Sequence, residues 1–195
     1  MLDFGCGQKP YEHLFDVDHY VGLDIEESGH VHEKSKIDVV YDGQRIPFDD
    51  DHFDSAFSSE VFEHVFNLKA VLAELNRVLK PGAYMLITVP FCWEEHEQPY
   101  DFARYTSFGL RHLLVESGFQ VLVEEKTPSA VESHAQLWAV YLRHSFLPKR
   151  PILGRILVPV IISPVLLLGI LLSRILPRNE AFYLNNVFLV RKPDR

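Results

Sequence analysis

Three carboxylates, two close glycines and two histidines carry most of the chemistry this sequence can do. Met1-Leu2-Asp3-Phe4 is a short apolar run ending near an acid, and it leads straight into the turn Gly5-Cys6-Gly7. Glycines there can take positive φ and let the backbone lie close against a ligand. A second apolar run, Tyr20-Val21-Gly22-Leu23-Asp24, also ends in an acid. An acid about 20 residues after such a turn, at the tip of the next strand, suits the two hydroxyls of a ribose. Tyr41-Asp42-Gly43-Gln44 closes a third run. His64, beside Glu63, and His96, in an acidic and aromatic stretch, are the candidates for moving a proton, because imidazole titrates near neutrality.

Positioning those groups requires an alternation of strands and helices, which implies a parallel sheet covered on both faces. Strands are predicted at about 1–4, 20–24, 37–41, 53–58, 83–90 and 119–123. Leu68, Val71, Leu72, Leu75, Val78 and Leu79 recur at helical spacing, and Pro81-Gly82 stops that helix. Thr106 is placed to cap a second helix, with Phe108, Leu110, Leu113 and Leu114 inward and Gly118 at its end. Open sheets of this kind bind ligands at the carboxyl ends of their strands. Asp3, Asp24, Asp42 and Ser58 all fall at such ends.

The ordered set resembles the class I S-adenosylmethionine (SAM) dependent methyltransferases, specifically the type 11-like group. The resemblance rests on the Asp3–Gly7 turn, Asp24, Asp42, Ile46-Pro47-Phe48, Phe53-Asp54, Glu63-His64 and Leu79-Lys80-Pro81-Gly82. It covers roughly residues 1–126, with a last strand near 184–192. It implies a Rossmann-like, doubly wound, mostly parallel sheet whose final antiparallel strand inserts beside the sixth. It also implies SAM as cofactor. Asp3 would favour the cationic part of the methionine moiety, Gly5 and Gly7 would let it lie on backbone, and Asp24 would take the ribose hydroxyls. Asp42 and Gly43 would meet adenine, and Ser58 would close the site. In the segment 89–106, Arg104 and Tyr105 become candidates for binding the acceptor, and His96 or His64 for receiving its proton. Two departures stand out. Lys9 replaces a frequent glycine, and only about four residues precede Gly5, where the family usually carries a further helix or two. The chain therefore reads as N-terminally short. The competing expectation is a non-catalytic SAM-fold scaffold or binding protein associated with a membrane.

A chain of 195 residues suits one domain, here 1–195, with an insert at 130–180. The net charge is −8, but between Glu132 and Glu180 there is no acid and six basic residues. An acidic body argues against nucleic acid as partner. The basic stretch contains Ile156–Leu172, uncharged and broken by Pro159, Pro164 and Gly169. Its 17 residues reach only about 25 Å against a hydrocarbon core of about 30 Å. The final strand must return to the same sheet, so a single crossing is excluded. Peripheral membrane contact through 150–178 is expected, or an oligomer interface through the same segment. The expected location is the cytoplasm, on the inner face of its membrane, and the expected acceptor is small or lipid-linked, with O-methylation preferred. Two cysteines, Cys6 and Cys92, make no disulfide framework, and Cys6 is not expected to be a nucleophile. No metal is expected, because Glu94, Glu95, His96 and Glu97 are consecutive and cannot all face one ion, and Asp49–Asp51 supply no closed ligand set.

Overall fold

The computed structural model describes residues 1–25, 36–146 and 151–194, with the side chains of 151–156 excepted. Seven strands form one sheet: β1 Leu2–Phe4, β2 Val21–Ile25, β3 Val39–Tyr41, β4 Phe53–Ser59, β5 Leu79–Pro90, β6 Gln120–Thr127 and β7 Asn185–Arg191. Their order is β3-β2-β1-β4-β5-β7-β6. β1 pairs in parallel with β2 and β4, and the parallel pairing extends to β3 and β5. The last strand slots between the fifth and sixth, as the resemblance implies. The order reverses between β1 and β4, and such a switch point opens a crevice at the carboxyl ends of both strands.

The chain divides into two compact units, Met1–Glu125 with Asn186–Arg195, and Lys126–Asn185. The first holds the sheet core. Leu2, Phe4, Leu23, Met85, Ile87, Phe188 and Val190 are at most 2% exposed. Met85, Ile87, Phe188 and Val190 alternate along β5 and β7 with less buried neighbours, the period-two pattern of a pleated strand, whereas β1 is buried at every position. Helix α1, Leu68–Val78, buries Leu68, Val71, Leu72, Leu75 and Val78 on one stripe. Helix α2, Ser107–Glu116, is capped as expected, with Thr106 accepting from the Gly109 amide at 3.1 Å. Leu110 and Leu114 point inward, but Phe108 is 78% exposed. The expectation for Phe108 was wrong because the i, i+4 stripe through 110 and 114 excludes 108.

The second unit, Lys126–Asn185, holds two helices. Helix α3, Ala130–Phe146, starts on the return half of a capping box: Ser129 donates through its amide and hydroxyl to the Glu132 carboxylate, at 3.1 and 2.9 Å. Helix α4, Pro151–Ser173, runs through Pro159 and Pro164, which the sequence had treated as breaks. Ser173 donates to Glu132 at 2.9 Å, and a Cβ on Gly169 would stand 2.4 Å from that of Ala135. Among the described residues, no helix is long and apolar enough to cross a membrane. Lys149 and Arg150, part of the basic stretch, lie outside the described residues.

Candidate active site

A cavity of about 340 Å³ opens at the carboxyl ends of β1, β2 and β4. Volumes of this order suit a nucleoside-sized ligand. Its wall includes Asp3, Gly5, Gly7, Asp24, Phe57 and His64. Chain reversal after β1 is what makes the wall. Gly5 has φ +75°, and a Cβ there would meet the Val61 side chain at 2.4 Å. Gly7 has φ +48° with nothing within 4 Å of its Cβ position, so backbone is presented bare. Lys9 also takes a positive φ, 52°, which is why glycine is common there. Its ammonium is held by Asp38 Oδ2 at 2.5 Å, and the same oxygen accepts from the Gly22 amide at 2.6 Å.

The acids are held differently from one another. Asp24 is 7% exposed. Its Oδ2 accepts from the Gly7 amide and its Oδ1 from the Ile25 amide, each at 2.8 Å. Both oxygens keep a further lone pair, so the carboxylate is oriented without being exhausted. Asp3 accepts from the Tyr20 hydroxyl at 2.5 Å. Burial pushes the Asp3 carboxyl up to about 6, against the opposing pull of the Tyr20 bond. The buried side chain of Cys6 has its thiol pushed up to about 12 by the same cause, which leaves it without nucleophilic character at neutral pH.

Several expected site residues are placed elsewhere. Ser58 is 1% exposed and absent from the cavity wall, which Phe57 and Ser59 line instead. Alternation along β4 turns Ser58 to the other face, so the correction is one residue. Asp42 is exposed, and its Oδ1 accepts from the amides of Gln44 and Arg45 at 2.8 and 3.1 Å, which lowers its pKa. Asp42 and Gly43 (φ +77°) thus make a turn beyond the cavity wall, while Tyr41 reaches it. Arg104 is bound in a fork to Asp101, at 2.5 and 2.7 Å, and to the carbonyls of Glu94 and Ala103 at 2.9 and 2.8 Å. That fork holds the Asp101 carboxyl down at about 2. Arg104 is therefore a brace of the 91–106 loop and not a free anion receptor. Tyr105 packs partly buried against the core and its carbonyl accepts from Asn186.

The two histidines are brought together. His64 lines the cavity, and His96 stands beside it with ring centroids 4.8 Å apart. His64 Nδ1 lies 3.0 Å from the Tyr100 carbonyl, and His96 Nδ1 lies 3.1 Å from the Glu94 carbonyl. His96 is not part of the cavity wall, so of the two His64 is the one that faces it. Glu63 Oε1 lies 3.7 and 3.9 Å from the two Nε2 atoms; its side chain is fully buried, and its carboxyl oxygens have no hydrogen-bond partner among the described residues. Burial pushes its pKa up to about 8. Sequence reasoning had noticed Glu63 only as a neighbour of His64. It also missed Tyr20 and Ser59, and for Ser59 the strand alternation was the available signal.

Residues 2–87 match the family model described as a methyltransferase domain. That match spans a little under half of the chain, and the seven-stranded order with its crevice between β1 and β4 is the class I SAM-dependent methyltransferase fold. The chain is 33% identical over 94 residues to a tRNA (carboxymethyluridine(34)-5-O)-methyltransferase of Arabidopsis thaliana, which covers 46% of this chain and 23% of that protein. It is 32% identical over 112 residues to the sterol 4-C-methyltransferase strm-1 of Caenorhabditis elegans, covering 55% and 30%. The matched part thus spans less than a third of either relative. Among solved structures, the [4+2]-cyclase SpnF superposes with a TM-score of 0.63 at 17% identity, over all of this methyltransferase-fold chain and 75% of the cyclase. Phosphoethanolamine N-methyltransferase 2 of Haemonchus contortus, in complex with phosphomonomethylethanolamine and S-adenosylhomocysteine, gives 0.60 at 16%, over 99% and 48%. Those two likenesses speak for the fold alone.

Proposed function

We propose that this protein binds SAM in the cavity between β1, β2 and β4 and methylates a small acceptor, with a hydroxyl oxygen preferred. The observation that carries this is the joint placement of Asp3, the Gly5–Gly7 turn and Asp24 around one cavity. These residues fit the cofactor. Asp24 presents oriented acceptor lone pairs to a diol, the bare turn offers backbone, and Asp3 offers a carboxylate to a cationic group. When bound, SAM supplies an electrophilic methyl on a sulfonium; the acceptor's lone pair forms the new bond while the carbon–sulfur electron pair stays on sulfur.

The protein's own contribution is alignment and proton handling. His64 is the imidazole on the cavity wall; its Nδ1 contact to Tyr100 leaves Nε2, buried beside Glu63, as the basic nitrogen, which in the metal-free protein receives a hydroxyl proton when the ring turns to the cavity. His96 and Glu63 back it. The relatives' different acceptors, a tRNA and a sterol by name, do not choose one here. A lipid-linked acceptor and peripheral attachment through 150–178 are supported by the exposed apolar side chains Val160, Leu167, Leu168 and Leu171 on α4. The test is to incubate the protein with methyl-labelled SAM and cell extract, divided into soluble and lipid fractions, and to identify labelled products by mass spectrometry. A labelled small molecule or lipid is expected. SAM binding with no labelled product in either fraction would favour the non-catalytic scaffold.

A further inference from the structure

We infer that Glu63, His64 and His96 form a binding site for a first-row divalent transition-metal ion at the edge of the cofactor cavity. The three offer ligand atoms that all lie within 4.8 Å of one another. They come from two separate places: Glu63 and His64 from the turn after β4, His96 from the loop after β5. That loop is fastened to the turn. The amides of Phe102 and Ala103 donate to the Glu63 carbonyl at 2.9 and 3.2 Å, and the His96 amide donates to Asp101 at 2.9 Å.

The orientation of the rings is the decisive point. A carbonyl can only accept, so the Nδ1 of each histidine that faces one carries the proton in the neutral ring. For His64 that carbonyl is Tyr100; for His96 it is Glu94 at 3.1 Å, and with the Asp101 carboxylate 3.4 Å away it outweighs the longer 3.4 Å contact from the Arg104 guanidinium. Each Nε2 is then a lone pair, and both turn toward the same oxygen. His64 Nε2 is 3.7 Å and His96 Nε2 3.9 Å from Glu63 Oε1. Both distances are too long for hydrogen bonds. Among the described residues neither Glu63 oxygen has a partner, nor does His64 Nε2, although all are buried. Three electron-pair donors thus converge on one space once the Glu63 carboxyl gives up its proton, as it does on binding a cation.

A cation in that space satisfies all three. Nitrogen and oxygen donors sit about 2.1 Å from such an ion, hence about 3.4 Å from one another around a tetrahedron. Side-chain rotations that shorten the sides by a few tenths of an ångström to about 1.4 Å bring the triangle to that size. Backbone carbonyls that fix the distal ring nitrogen are the usual support of metal-binding histidines. Two imidazoles with one carboxylate select zinc, iron, cobalt or nickel over magnesium or calcium, which favour all-oxygen sets. Glu97 Oε1, 3.6 Å from His64 Nε2, stands within reach as a further ligand. Entry is from the His96 side, whose side chain is 30% exposed while that of Glu63 is closed off. Because His64 also lines the cavity, the bound ion borders it and can hold an acceptor oxygen; with the ion in place the two histidines are ligands and not bases. That role rests on the methyltransferase reading, whereas the site itself does not.

The test uses the full chain, stripped with a chelator and titrated with Zn²⁺ and, separately, Mg²⁺ by calorimetry. One equivalent of Zn²⁺ should bind, with Mg²⁺ about 100-fold weaker or undetected. Glu63→Gln and His96→Ala should each weaken Zn²⁺ by about 100-fold, and His112→Ala, at an exposed histidine elsewhere, should not. Co²⁺ added to the unmutated protein should give the intense visible bands of a nitrogen-ligated ion, a readout independent of how any variant folds. No uptake of Zn²⁺ and no Co²⁺ bands in the stripped protein would overturn the site, as would equal Zn²⁺ affinity in folded Glu63→Gln. S-adenosylhomocysteine is titrated into the same samples. Zn²⁺ binding without it would keep the metal site and sink only the cofactor reading; the reverse result would overturn the site alone.

Discussion

Replacing Asp3 by asparagine should make the ligand-free protein more stable at alkaline pH while weakening its hold on SAM. Asp3 is 3% exposed and its carboxyl is raised from 3.8 to about 6 by burial. A carboxyl whose folded value lies above its unfolded one favours folding while it is protonated. That contribution is complete below about 3.8 and is lost as pH rises through about 6. At 1.36 kcal/mol per pH unit, the whole effect is about 3 kcal/mol, and about 2 kcal/mol of it falls between about pH 4.5 and pH 8. Asparagine cannot ionise and can still accept from the Tyr20 hydroxyl. Urea unfolding of both proteins at those two pH values measures the difference. The stability of Asp3→Asn relative to wild type should rise by about 2 kcal/mol from the acid to the alkaline condition. The cofactor's positive charge favours the ionised carboxyl, so SAM affinity of the wild type should increase from about pH 5 to pH 7.5, and the variant should show no such rise. A relative stability that is flat, or that falls with pH, would refute the argument from burial.

Gly5→Ala should cost about 2–4 kcal/mol, from the positive φ and from the collision with Val61, and adding Val61→Ala should return only the collision part, as thermal unfolding can show. Arg104→Lys removes the fork to Asp101, should destabilise by about 1–2 kcal/mol, and should expose the 91–106 loop to protease cleavage, with little change in SAM affinity. In the metal-free protein His64→Ala should lower turnover by about 10²–10⁴-fold, while a loss of cofactor binding of the same size would mark His64 as structural only.

The strands and helices were legible because each has one dominant signal. α1 shows five buried residues at helical spacing, and β1, β2 and β5 are apolar runs punctuated by turn residues. The cofactor side was legible for a related reason: the Gly5–Gly7 turn and Asp24 are local features at fixed distances along the chain, and the cavity gathers them. Where a side chain's direction mattered, sequence was a weaker guide. Ser58 and Ser59 differ by one step of the pleat, and only one faces the cavity. Asp42 has the composition of a ligand acid, yet two amides two and three residues on take its oxygen into a turn. The Glu63, His64 and His96 cluster was out of reach, since the loop after β5 had to fold onto the turn after β4 before the three could meet. The prolines of α4 misled through their average behaviour, because the helix continues past both.

Calorimetric titration of S-adenosylhomocysteine into the wild type and Asp24→Ala bears most directly on the central claim, that the cavity at the ends of β1, β2 and β4 holds the cofactor. The wild type should show saturable binding at one molecule per chain. Asp24→Ala should bind more weakly by about 1.5–3 kcal/mol, the worth of hydrogen bonds to a charged group. Equal affinity in the two folded proteins, or no saturable heat in the wild type, would contradict it.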